Sequence, residues 1–179
     1  EVPEYNLRNN WKKLTGFFPN NRPVKFVFMK DLEDPYYNQI LYVPTISYNF
    51  YDGLTPGIRL HNKTILDKPL IFEINPSYSS KSDNLSGSAI FVINQNYRNS
   101  TLYNAKYSMS GSYFHYAQDA TYLKLNPTVQ LRIRQPNFRD NRKQLILFRQ
   151  VIVNKEKSAF VIENSPENYS IFDARYINT

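Results

Sequence analysis

Apolar and polar residues take turns with a period of two along residues 101–135. In 101–116 the odd positions read Tyr103, Ala105, Tyr107, Met109, Gly111 and Tyr113, against Asn104, Lys106, Ser108, Ser110 and Ser112 at the even ones. In 121–135 Leu123, Leu125, Val129, Leu131 and Ile133 stand against Lys124, Asn126, Thr128, Gln130, Arg132 and Arg134. Successive side chains of a β-strand point to opposite faces, so this spacing predicts two long strands, greasy on one side and polar or charged on the other. Both exceed the usual ~5–6 residues of a globular strand and are long enough to cross a membrane.

Other segments repeat the pattern with more noise. Ile40, Tyr42, Pro44, Ile46, Tyr48 and Phe50 alternate with Thr45, Ser47 and Asn49; Leu70, Phe72, Ile74 and Tyr78 alternate with Glu73, Asn75, Ser77 and Ser79. Leu85, Ala89, Phe91 and Ile93 alternate in part with Ser86 and Ser88, and a last candidate runs from Tyr169 to Asn178. The strand at 143–154 is apolar on both sides apart from Arg149 and Gln150, which predicts burial on both faces. Short turn signals separate them, among them Asp52-Gly53, Asp67-Lys68-Pro69 and Lys81-Ser82-Asp83-Asn84, as sequential hairpins require. The reading is all-β: an antiparallel meander of about eight strands, part of an outer-membrane β-barrel, with no helix long enough for a parallel crossover.

Residues 1–37 differ. Asn10 to Gly16 reads as one helical turn, Pro19, Pro23 and Pro35 break the chain, and Val24 to Met29 reads as a short strand. This stretch is expected to be an irregular lead-in or linker, with the barrel region occupying 38–179. The start at Glu1-Val2-Pro3, without Met or a signal peptide, is read as that of a processed product or a fragment.

Period two alone does not separate a membrane barrel from a soluble sandwich. Composition helps here. The 179 residues include 15 Tyr and 12 Phe but one Trp and two Met, and aromatics gather near strand ends, at Tyr48, Phe50 and Tyr51 and again at Tyr113, Phe114, Tyr116 and Tyr122. Aromatic girdles at both interfaces mark outer-membrane barrels. Apolar runs stop at five residues, as at Ala89–Ile93, so no spanning helix is encoded, although strands need none. The formal charge of +7 suits a polyanion, nucleic acid or anionic lipid headgroups alike; the partner expected of a barrel is outer-membrane lipid or lipopolysaccharide.

The residues offer little chemistry. With no cysteine there is neither a disulfide nor a thiolate site. His61 and His115 are too far apart for a helical metal pair, and H-E-x-x-H, G-x-S-x-G, G-x-G-x-x-G and the P-loop are absent. Asp31, Glu33 and Asp34 cluster before Pro35 but lack calcium-loop spacing, and read as a solvated loop. Arg132, Arg134, Arg139, Arg142, Lys143 and Arg149 form the densest basic patch; without interleaved stacking aromatics it does not read as a nucleic-acid surface. No catalytic, cofactor-binding or metal-ligating residue is assigned, no cofactor is expected, and no nucleic-acid partner is expected.

Three stretches carry a family likeness: Tyr51-Asp52-Gly53-Leu54-Thr55-Pro56-Gly57-Ile58-Arg59-Leu60-His61-Asn62-Lys63-Thr64, "SGSYFHYAQDATYLKLNP" at 110–127, and "RQPNFRDNRKQLILFRQVIV" at 134–153. Together they resemble the C-terminal region of Gram-negative envelope proteins whose N-terminal part is a gluzincin-type zinc aminopeptidase. The resemblance spans about Trp11 to Tyr176. It implies an outer-membrane barrel of the surface-antigen type, non-catalytic in itself, serving as anchor or pore for a peptidase domain or envelope complex. The peptidase's zinc ligands and general base have no counterpart positions here. The competing expectation from the residues is a soluble periplasmic β-sandwich or lipocalin-like binding module.

Overall fold

The computed structural model describes residues 22–29, 32–65, 67–97, 100–135, 142–160 and 168–178. The expected helical turn at Asn10 to Gly16 lies outside them. All nine elements are strands: β1 (Val24–Phe28), β2 (Asn38–Asn49), β3 (Gly53–His61), β4 (Leu70–Tyr78), β5 (Leu85–Asn96), β6 (Leu102–Ala117), β7 (Ala120–Arg134), β8 (Lys143–Lys155) and β9 (Asn168–Asn178). They form one sheet in chain order. Every neighbouring pair is antiparallel except β1–β2, which is parallel. The sheet is open, with β1 and β9 at its two edges.

The count is nine rather than about eight because β3 escapes the pattern. Pro56 and Gly57 sit in its middle, and both residue types argue against a strand interior. Its alternation of Leu54, Pro56, Ile58 and Leu60 with Thr55, Gly57, Arg59 and His61 is nevertheless intact. The cost falls on the β3–β4 ladder, which pairs only Gly57 with Ser77, Leu60 with Ile74 and His61 with Glu73; Pro56 and Pro76 have no N–H to donate. The lead-in is part of the sheet, since β1 lies alongside the start of β2.

Register fixes which side chains share a face. Leu123, Leu125, Val129, Leu131 and Ile133 lie on one side of β7, opposite Lys124, Thr128, Gln130, Arg132 and Arg134. Followed strand to strand, the side of Leu131 carries Ala105, Ile146 and Tyr176, and the row of Pro127 carries Phe72, Phe91, Met109 and Phe172. No Asp, Glu, Lys or Arg occupies this side of any of the nine strands. Lys25, Arg59, Glu73 and Lys106 all take the other side. So do Lys124, Arg132, Arg134, Lys143, Arg149 and Lys155, and with them Asp173 and Arg175 on the edge strand.

The charged side is concave. Thr45 and Ser47 of β2, Thr55 of β3, Asn75 and Ser77 of β4, Ser86 and Ser88 of β5 and Ser112 of β6 line a groove on this side, and Asn49 at the end of β2 reaches the His115 carbonyl of β6 at 2.9 Å, so the sheet curls toward it. The apolar side is convex and open to its surroundings: Ile46 is 69 % exposed, Tyr48 73 % and Phe172 66 %. Buried apolar residues among those described are only Leu41, Ala105, Ala117, Ala120 and Val153, fewer than the buried polar ones. An ordinary soluble domain inverts that proportion. The expected double burial of β8 is corrected accordingly. Val153 is its one buried residue, while Leu145 and Leu147 stand half-buried on the concave side and Ile146 half-buried on the convex one, because a single curled sheet puts no second layer against either face.

Candidate functional site: the polar concave wall

Three polar assemblies occupy the concave wall. The first is the groove on β2–β6, about 360 Å³, furnished almost wholly with hydroxyls and amides. These groups satisfy one another across the strands. Ser47 and Thr55 hydroxyls meet at 2.5 Å, Ser77 and Ser86 at 3.0 Å, and Asn75 donates to Ser88 at 3.1 Å. Directly opposed positions on one face approach closely enough for such pairs. Gly87 belongs here for a steric reason: a Cβ on it would stand 2.3 Å from the Asn75 carbonyl oxygen, so β4 and β5 pack closely only with glycine at 87.

The second assembly closes one end of the groove. Asp52, in the β2–β3 turn, is 1 % exposed. Gly53 follows with φ +69°, the left-handed geometry that lets the chain reverse there. The Asp52 carboxylate accepts from the Ser82 hydroxyl at 2.9 Å, the Asn49 amide at 3.1 Å and the His115 backbone N–H at 3.3 Å, and stands 2.8 Å from His115 Nδ1. Asn49 also donates to the His115 carbonyl at 2.9 Å, so β2 reaches β6 over the short β4–β5 hairpin. Burial works against ionisation of Asp52. The Ser82 hydroxyl, the His115 N–H and the electrostatic pull of His115 outweigh it, and hold the carboxyl below its usual range. Among the described residues the His115 ring has no hydroxyl hydrogen-bonded to it, so the pair lacks the nucleophile–base contact of a hydrolytic triad.

The third assembly is cationic and belongs to β6–β9. Lys106, Lys124, Arg132, Arg149 and Arg175 share the wall with one carboxylate, Asp173, which pairs with Arg149 at 3.0 Å and Arg175 at 2.9 Å. Arg134 lies over the Tyr103 ring at 5.3 Å, and Lys155 over Tyr116 at 4.6 Å. By contrast the cations of β3 are neutralised on the spot. Glu73, almost buried, binds Arg59 at 2.9 Å and Lys63 at 2.5 Å.

The sequence-selected residues disperse. His61 ends β3 beside Glu73, whereas His115 lies near the opposite end of the sheet. Glu33 pairs with Lys68 at 3.4 Å and accepts from Thr64, and Asp34 pairs with Lys25 at 3.3 Å; Asp31 is outside the described residues. Among the described residues no three His, Cys, Asp or Glu side chains are grouped to hold a metal. Of the basic patch, Arg132, Arg134, Lys143 and Arg149 do share the concave side, Arg142 precedes β8, and Arg139 is outside the described residues. Asp52 reads from sequence only as a turn residue. Its partners are 30 and 63 positions away, and the one local sign of its role is Asn49 three residues earlier, a second polar group aimed into the same turn.

No family model, no curated protein and no solved structure matches the chain. Among the described residues no helix is long and apolar enough to cross a membrane, which says nothing of strands.

Proposed function

We propose that this chain is a non-catalytic segment of an outer-membrane β-barrel, acting as anchor or pore wall for a peptidase domain attached to it. The observation that carries the reading is the complete segregation of strand charges to the concave side, with a charge-free convex side that is mainly Leu, Ile, Val, Phe, Tyr and Pro on β1–β7 and alternates such residues with Gln, Asn and Ser on β8 and β9. A membrane barrel faces lipid outward and water inward, and so needs this polarity; a soluble barrel or sandwich turns its apolar face inward. The dimensions agree. The convex row of β7 from Leu123 to Ile133 is ten steps long, about 33 Å at ~3.3 Å per residue. At the 35–45° tilt of outer-membrane strands it rises about 25 Å, the height of their apolar band. Tyr48, Tyr78 and Tyr113 stand on the convex side toward one end, and Tyr176 toward the other, where interfacial aromatics belong.

A nine-stranded sheet with two free edges needs further strands to close, which fits a segment of a longer barrel. The likeness of 51–64, 110–127 and 134–153 to the region following the peptidase in Gram-negative aminopeptidase-type envelope proteins is what names the attached domain and the outer membrane. The deciding experiment is dispersion and labelling. The chain should require detergent to stay monodisperse, and a hydrophobic label delivered from lipid vesicles should reach a cysteine placed at Leu131 but not one placed at Gln130. A monodisperse chain in plain buffer with position 131 shielded would replace the barrel by a soluble binding module.

A further inference from the structure

The concave wall is electrostatically lopsided, and the lopsidedness points to a ligand. On β2–β5 its strand charges amount to Arg59 and Glu73, which neutralise each other at 2.9 Å. On β6–β9 four cations fall in three adjacent cross-strand rows. Lys106 opposes Gln130, which leads through Leu147 to Arg175; Arg132 lies one row to one side and Arg149 one row to the other. Neighbouring strands are ~4.8 Å apart, so Lys106 and Arg175, three strands apart, stand about 14 Å apart at the backbone, a span that two long side chains leaning inward can close around an anion lying between them. Asp173 is the only carboxylate among them and already serves two arginines. Lys106 and Arg132 have no hydrogen bond or ion pair among the described residues. Arg149 keeps a buried Nε with no partner even while its Nη2 binds Asp173.

Unpaired like charges held side by side repel one another unless something negative joins them. Guanidinium forks fit tetrahedral oxyanions in a bidentate manner, and an ammonium adds a point charge beside them. We propose that the β6–β9 wall is a binding site for small oxyanions of the phosphate class, centred on Lys106, Arg132, Arg149 and Arg175. The inference rests on the barrel reading, which makes this wall a lumen walled off by lipid, where fixed charge is screened less than on an open surface.

The test is titration of the detergent-dispersed chain with inorganic phosphate by calorimetry, run beside the vesicle label at position 131. Lys106→Gln combined with Arg132→Gln is expected to weaken phosphate binding about tenfold or more, while Lys81→Gln, in a turn outside the wall, leaves it unchanged. Binding should also weaken as sodium chloride rises. If the double variant loses the strand circular dichroism, the single Arg132→Gln, at an exposed position, carries the test. Label at 131 with no phosphate binding, or with binding indifferent to these variants, overturns the oxyanion site and leaves the barrel standing. Absence of label at 131 removes the barrel reading and this inference with it.

Discussion

The two halves of the sheet solve the problem of a polar interior differently. β2–β5 line the concave side with small hydroxyls and amides that satisfy one another, and lock their turns onto β6 through one buried carboxylate. β6–β9 are longer as a group and line the same side with long cations that outnumber their carboxylate partner. On the convex side both halves are free of charge, although β8 and β9 carry Gln144, Gln150, Asn154, Asn168, Ser170 and Asn178 there. A surface that is uncharged throughout outside and divided inside indicates one constraint against charge acting on the whole exterior and two separate tasks within, packing in one half and charge presentation in the other.

The largest effects should come from charging the shared exterior. Val129→Arg on β7 and Phe91→Arg on β5, both near mid-height of the apolar band, are each expected to cost about 2–4 kcal/mol in a lipid bilayer. The measurement is urea unfolding from vesicles. Equal losses support one continuous lipid-facing surface. If Phe91→Arg is tolerated while Val129→Arg is not, the first half does not share the bilayer with the second, and the uniformity of the exterior is broken.

Interior carboxylates should separate the halves next. Asp52→Ala strands the His115 N–H, the Ser82 hydroxyl and the Asn49 amide in a buried place, and is expected to cost about 1–3 kcal/mol. Asp173→Ala removes two ion pairs whose arginines are open to water, and is expected to cost about 0–1 kcal/mol. Chemical denaturation of the two variants in the same detergent checks the order. A reversed order would move the structural pin to the cationic half.

Glycine replacement sharpens the same contrast at a smaller scale. At Gly87 a methyl group would run into the backbone oxygen of Asn75 at 2.3 Å, which cannot move without breaking the β4–β5 ladder. Gly87→Ala is therefore expected to cost about 1–3 kcal/mol. At Gly111 the nearest atom is the Leu125 Cδ2 at 3.0 Å, the tip of a flexible side chain, so Gly111→Ala should cost about 0.5 kcal/mol or less, within the range of a tolerated surface change. Thermal melts in detergent distinguish them.

What could be read in the sequence, and what could not, follows the same line. The strands of the second half announce themselves, because Leu123 to Ile133 and Tyr103 to Tyr113 alternate over long runs with single breakers, Pro127 and Gly111, in place of an adjacent pair. In the first half β3 is masked by Pro56 and Gly57, although its polar side is what completes the groove. Face assignment is local and so was legible, as Leu131 and Arg132 attest. Curvature is not local. Nothing near Asp52 says that the β2–β3 turn folds over the β4–β5 hairpin to meet His115, and nothing near Leu145 or Leu147 says that β8 has no second layer above it. The oxyanion wall was half legible: Arg132, Arg134, Lys143 and Arg149 stood out as a run, but Lys106 and Arg175 join them only through register.

The smallest effect expected is the response to acid, and it too should differ between the halves. Asp52 pins the turns of the first half. Asp119 pins the β8–β9 loop of the second onto the β6–β7 turn, accepting from the Ser158 hydroxyl at 2.5 Å and the Ala159 N–H at 2.8 Å. Both carboxyls lie below their usual range. For Asp52 burial opposes the shift and the Ser82 hydroxyl and His115 outweigh it; for Asp119 the Ser158 hydroxyl leads, followed by the Ala159 N–H. A carboxyl whose folded value is depressed stabilises the fold above its unfolded value, about 3.9 for Asp, and that contribution drains away as pH falls toward the folded value. Neither pin should weaken between pH 7 and pH 5. Below about pH 4 both should loosen, and the buried one should matter more, because its loss leaves polar groups without water while the exposed one can rehydrate. Amide exchange at His115, which donates to Asp52, and at Ala159, which donates to Asp119, gives the readout. Protection at His115 should fall further on acidification than protection at Ala159. A larger loss at Ala159, or any loss at His115 above pH 5, would show that the buried carboxylate is not what holds the first half closed.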